Sequence, residues 1–199
     1  MARILLVLKM LGLSYLAYLL YVLAFQYDLQ DPGFSPPFVI WITDTINLFI
    51  HEAGHLFMKP FGRWIYVLGG SFFQVFMPLL LALLGLRRSV NYTVLPAFWC
   101  GESMVNVSIY IRDAPFRHLK LLANGLIHDW NWLLSDNLDS AGTIADIVYG
   151  LGILLCAVAI GVGVFGAVRA YREGLAEEEM VAALPARIGK PKAEETEVL

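Results

Sequence analysis

Long apolar runs separated by short polar breaks dominate this chain. Five of them, Ile4–Phe25, Phe38–Met58, Ile65–Leu86, Tyr92–Ile111 and Ile144–Val168, each approach the roughly 20 residues that cross a bilayer as a helix. Asp31-Pro32-Gly33 and Ser35-Pro36-Pro37 break the chain after the first run, and Lys59-Pro60-Phe61-Gly62-Arg63 breaks it after the second. Gly69-Gly70 and Pro78 interrupt the third, which predicts a kinked, shortened or re-entrant segment. Between Arg112 and Gly142 apolar and charged residues mix. That stretch predicts one or two short helices at the membrane surface, among them Trp130–Leu138 with Asp129 available as its N-cap. After Arg172 the chain turns polar, which predicts a flexible or weakly helical acidic tail over 173–199. The predicted fold class is all-α: a polytopic membrane helix bundle of about five spans with short interfacial helices, occupying 1–172.

Composition agrees with the pattern. Of 199 residues, 58% are hydrophobic and 16% charged, against roughly 45–50% and about 25% in soluble proteins. The net charge of -3 argues against a nucleic-acid partner. Cys100 and Cys156 lie far apart in apolar runs and read as small buried hydrophobes. The first run exceeds a signal-peptide core and has no small-x-small cleavage site before Tyr27-Asp28, so it is expected to be a permanent span. With five spans, the N-terminus, the 59–63 connection and the 112–142 segment share one side, with Arg3, Lys9, Lys59, Arg63, Arg112, Arg117 and Lys120. The positive-inside rule makes that side cytoplasmic, against Arg87, Arg88, Arg169 and Arg172 opposite. The expectation is an integral multi-pass protein of a prokaryotic cytoplasmic membrane, with the bilayer as its first partner.

The second run ends on His51-Glu52-Ala53-Gly54-His55. Histidines at i and i+4 share a helix face and can reach one metal ion, while the glutamate lies beside it as a general base. Projected at about 100° per residue, Asp44, Asn47, His51 and His55 fall within an arc of roughly 80°. A polar stripe on an apolar helix must face protein or a water-filled cavity. Asp44 and Asn47 are therefore candidates to hold the imidazoles from behind. Histidines that merely hydrogen-bond between helices are the competing explanation.

A catalytic zinc site needs a third protein ligand. His128 and Asp129, on the same predicted side, are the leading candidates, with His128 preferred because Asp129 can serve as a helix cap. His118, flanked by charges, reads as an interfacial residue. Glu102, Asn106 and Asp113 form a second polar stripe at helical spacing. Depth favours Asp113 over Glu102 as a neighbour of the metal, and Glu102 reads better as a buried carboxyl bonded to Asn106 or Gln74.

His51-Glu52-Ala53-Gly54-His55 within a membrane span, followed by Phe61-Gly62-Arg63, Trp64-Ile65-Tyr66-Val67 and Gly69-Gly70, resembles the site-2 protease class of intramembrane zinc metallopeptidases. The resemblance covers about residues 38 to 132. It implies that His51 and His55 are Zn(2+) ligands, that Glu52 is the catalytic base, and that the substrate is a transmembrane or membrane-associated protein. The family's third ligand is an aspartate in a Leu-Asp-Gly context, which this chain lacks. His128-Asp129-Trp130 is the nearest counterpart. A zinc-dependent hydrolase of a lipid amide or ester, and a metal-binding membrane protein without turnover, are the alternative expectations.

Overall fold

A computed structural model describes residues 2–29, 31, 33–119 and 126–188. Among these residues every regular element is helical: α1 (Ala2–Phe25), α2 (Phe38–Met58), α3 (Arg63–Leu86), α4 (Val94–Arg112), the short α5 (Asp129–Leu133) and α6 (Ala141–Ile188). Pro37 starts α2 with an extended ψ of 147°. A 3-10 turn at Lys59–Phe61 ends it, and Gly62, at φ 94°, reverses the chain into α3. That φ lies where a side chain is strained, so the position suits glycine.

Four helical stretches are long and apolar enough to cross a membrane: α1, α3, α4 with its preceding turn, and α6. The second predicted span, α2, is not among them, because Asp44, Asn47, His51, Glu52 and His55 lower its hydropathy. At 21 residues it still measures about 30 Å. The third predicted span is a continuous helix despite Gly69, Gly70 and Pro78, so neither a re-entrant nor a broken segment forms. All three of those residues are buried.

Of the two states expected for the start of the tail, the structure shows the helical one. Helix α6 runs through 173–188, in a sequence rich in the strong helix formers Ala, Glu and Leu, with an Arg169–Glu173 pair at 2.8 Å on its surface. Residues 189–199, with the acidic C-terminus, and 120–125, with Lys120, lie outside the described residues.

The core sits where α1, α4 and α6 meet, around Leu19, Val22, Leu23, Phe98, Val105, Cys156 and Ala159. Both cysteines are buried and free. Two helix pairs approach through glycine, α2 to α3 at Gly54 and Gly69, and α4 to α6 at Gly101 and Gly152. Small residues let backbones come this close. A Cβ on Gly54 would sit 2.9 Å from the carbonyl carbon of Gly69 and 2.8 Å from Cβ of Phe73. Gly54→Ala is therefore expected to cost about 1–3 kcal/mol, the usual range for overpacking, read as a lowered Tm in detergent. Gly12→Ala, with nothing within 4 Å, should leave Tm unchanged. Equal Tm values for the two variants would contradict the close α2–α3 contact. The outward faces carry Leu8, Leu11, Phe49, Phe57, Leu154 and Phe165, all exposed.

Candidate metal centre

The close packing of α2 on α3 sets the geometry of the two histidines. His55 Nδ1 lies 2.8 Å from the backbone oxygen of Tyr66. A carbonyl only accepts, so Nδ1 carries the proton and Nε2 of the neutral ring carries the lone pair. His51 Nδ1 faces Oε1 of Gln74 at 3.3 Å. The amide nitrogen of Gln74 donates to Asn106 at 2.7 Å, which fixes that orientation and puts His51 in the same tautomer. Gly70 makes room, because a Cβ there would fall on the His51 ring. Asp44 and Asn47 thus do not hold the imidazoles; Gln74 and the Tyr66 carbonyl do. A lone Gln in an apolar run was the only sequence signal for this.

Both Nε2 atoms point at one oxygen. Asp129 Oδ2 lies 2.9 Å from His51 Nε2 and 3.2 Å from His55 Nε2. Two imidazole lone pairs and a carboxylate oxygen are all acceptors, and they repel unless a cation lies between them. Ligand atoms bound tetrahedrally at zinc distances sit about 3.3 Å apart, close to the spacing found. His51, His55 and Asp129 form a group that could hold a metal ion.

Of the two candidates for the third position, Asp129 meets the α2 histidines, and His128 makes the helix cap expected of Asp129. The short helix starts at Asp129 rather than Trp130, and His128 is its N-cap, with Nδ1 accepting from the backbone N–H of Asn131 at 3.2 Å. His128 Nε2 then donates to Asp113 Oδ2 at 3.2 Å. Burial keeps the His128 ring below the ordinary histidine value, despite the opposing pull of Asp113. Both ring nitrogens are committed, so His128 faces away from the metal group. Asp113 also accepts from the backbone N–H groups of His118 and Leu119, at 2.9 and 3.0 Å. It thus ties the backbone at His118 and Leu119 to the ring of His128, next to Asp129. Tyr110 accepts from the Asp129 N–H at 3.0 Å, Trp130 donates to Ser71 at 3.0 Å, and Asn131 donates to the Ala114 carbonyl at 2.8 Å. His118 is exposed and stacks on Phe116.

The remaining polar candidates connect to the His51 ring through Asn106, which accepts from Gln74. Asp44 Oδ1 accepts from Tyr27 Oη at 2.8 Å and from Asn106 Nδ2 at 2.9 Å. Asn47 donates to Glu102 Oε2 at 2.9 Å and accepts from Trp99 and Ser103. Glu102 is thus bonded to Asn47, not to Asn106 or Gln74, and lies apart from the metal group.

A cavity of about 500 Å³ joins these parts. His51, Glu52, His55, Asp129 and Tyr110 line one part of its wall, and Asp44, Asn106 and Gln74 another. Leu29, Leu48, Leu119, Leu126 and Ile127 supply apolar surface. Glu52, half-buried, is the carboxylate beside the metal group that is not one of its members. No protein-family model, curated protein or solved structure matches the chain.

Proposed function

We propose that this chain is a membrane-embedded zinc hydrolase that cleaves a peptide bond of a membrane-embedded or membrane-adjacent protein. One observation carries the reading: three acceptor atoms, from His51, His55 and Asp129, converge in a cavity that Glu52 also lines. An imidazole–imidazole–carboxylate set suits zinc and matches the three-ligand pattern of catalytic sites. The four apolar helices and their exposed Leu and Phe side chains support a multi-pass membrane protein. The basic residues on the side shared by the N-terminus and the 59–63 connection support a site that opens to the cytoplasm.

When bound, zinc supplies Lewis acidity for the substrate carbonyl and for the attacking water. The rest falls to the chain. Glu52 takes the proton from the water and returns it to the leaving amine. Tyr110 accepts from the Asp129 N–H, which leaves its own hydroxyl proton to donate to the developing oxyanion. Gln74 and the Tyr66 carbonyl keep both imidazoles in the ligating tautomer. A helical substrate must unwind locally before its carbonyl can enter, because that carbonyl is already bonded within its helix.

The apolar wall of Leu29, Leu48, Leu119, Leu126 and Ile127 favours a second reading, in which the same groups hydrolyse a lipid amide or ester. Metal analysis and chelation test the shared premise. Purified protein is expected to hold one zinc per chain, and a chelator should remove both the zinc and the turnover of a membrane-peptide library. Protein that binds no zinc at micromolar concentration overturns the proposal. Turnover of lipid amides alone selects the second reading.

A further inference from the structure

Helix α2 brings an apolar side chain to the cavity wall right beside the metal group. Asp44, Leu48, His51, Glu52 and His55 all line the cavity. Counted from Asp44 they fall at steps of four, seven, eight and eleven, so they share one face of α2. The polar members of this stripe already have roles. His51 and His55 aim at Asp129, Glu52 is the proposed base, and Asp44 accepts from Tyr27 and Asn106. Leu48 stands between Asp44 and the metal group and is 40% exposed. It precedes His51 by three residues and Glu52 by four, which puts its Cβ about 5–6 Å from theirs. Helical side chains lean towards the N-terminus of their helix, so His51 and Glu52 lean over the turn that carries Leu48.

We infer that Leu48 is a specificity residue for the proposed hydrolysis: it receives the side chain of the substrate residue that supplies the cleaved carbonyl, it selects an apolar one, and it limits its length. A side chain leaves the backbone next to its own carbonyl, so with that carbonyl at the metal group the side chain lies within reach of a residue one helical turn away. In an extended chain the neighbouring side chains point to the opposite face, and they turn away from α2. A polar side chain set against Leu48 would give up water and gain no partner there. An apolar one buries surface on it. Because α2 fixes Leu48 one turn from His51, the size of the side chain at position 48 sets how far the bound one can extend.

The inference rests on the zinc-hydrolase reading, and the test keeps the two apart. Zinc-loaded full-length protein in phosphatidylcholine nanodiscs is titrated with the N-acetyl hydroxamates of leucine, asparagine and phenylalanine. The readout is the ratio of their affinities. Wild type should bind the leucine probe about tenfold or more tighter than the asparagine probe, its polar counterpart of similar size. Leu48→Ala opens space and should raise the phenylalanine-to-leucine ratio about tenfold, and Leu48→Phe should lower it by a similar factor. Phe49→Ala, on the outward side of the same helix, should leave the ratio unchanged; a shift there as large as in the Leu48 variants overturns the assignment. So does a ratio that moves in neither Leu48 variant, and so does a wild type that binds the leucine and asparagine probes equally, a comparison that needs no variant. An octanoyl hydroxamate has no side chain beside its carbonyl and should respond to neither Leu48 substitution. A response as large as that of the phenylalanine probe would place an acyl chain against Leu48 and overturn the side-chain assignment. Failure of the zinc-loaded wild type to bind any hydroxamate overturns the hydrolase reading and Leu48 with it. Hydroxamate binding with an unmoved ratio leaves that reading standing and removes Leu48 alone.

Discussion

Glu52→Gln is expected to abolish turnover while leaving zinc bound. Gln has nearly the same shape as Glu and cannot take a proton from water. Glu52 lines the cavity but is not among the three residues whose atoms converge for a metal. The variant should therefore keep its metal and lose its base. General acid–base catalysis is worth about 10²–10⁴-fold, and here one residue both accepts the proton and returns it, so a loss near the upper end is expected. The measurement is paired: zinc per chain by elemental analysis, and initial rate on a membrane-peptide substrate. Turnover within a few-fold of wild type would remove Glu52 from the mechanism. Loss of zinc along with activity would instead make it a ligand.

The histidines were legible because i and i+4 share a helix face from which two imidazoles can reach one ion, and that spacing survives whatever the rest of the chain does. The polar stripe on α2 was legible for the same reason, since an apolar helix must turn such residues inward. Which groups hold the imidazoles was not. Helical projection sees only the residue's own helix, whereas the partners Gln74 and Tyr66 belong to α3 and arrive through the Gly54–Gly69 contact. Gly70 looked like an interruption of a span; its role is to leave space for the His51 ring. The choice between His128 and Asp129 turned on a one-residue shift of a helix start. Both side chains can accept from a backbone N–H, so local sequence could not rank them. In the structure the bond from His128 to Asp113 takes its second ring nitrogen, and Asp129 is the residue that meets the two α2 histidines. Beyond Arg172 polarity alone left a mobile or a helical continuation open, and Ala and Glu favour the helix that the structure shows to 188.

The other large effect should come from Asp129. Replacing a partner that merely orients a ligand costs about 10–100-fold in metal affinity, so losing one of three ligands should cost more. Asp129→Asn keeps the size of the side chain and removes its charge. Two neutral imidazoles then face a weak amide oxygen, and zinc affinity should fall by at least about 100-fold. His128→Asn is the sharper comparison. Asn can still cap α5 but loses the bond to Asp113, which loosens the backbone carrying Asp129 without removing its oxygen. Its cost should stay within the orienting range, about tenfold. Competition with a chromophoric chelator reads both constants on the same scale. If His128→Asn lost more zinc than Asp129→Asn, the third position would return to the histidine. The order expected here follows from where the lone pairs point: both of Asp129's neighbours on α2 aim their Nε2 atoms at its carboxylate, and neither nitrogen of His128 aims at them.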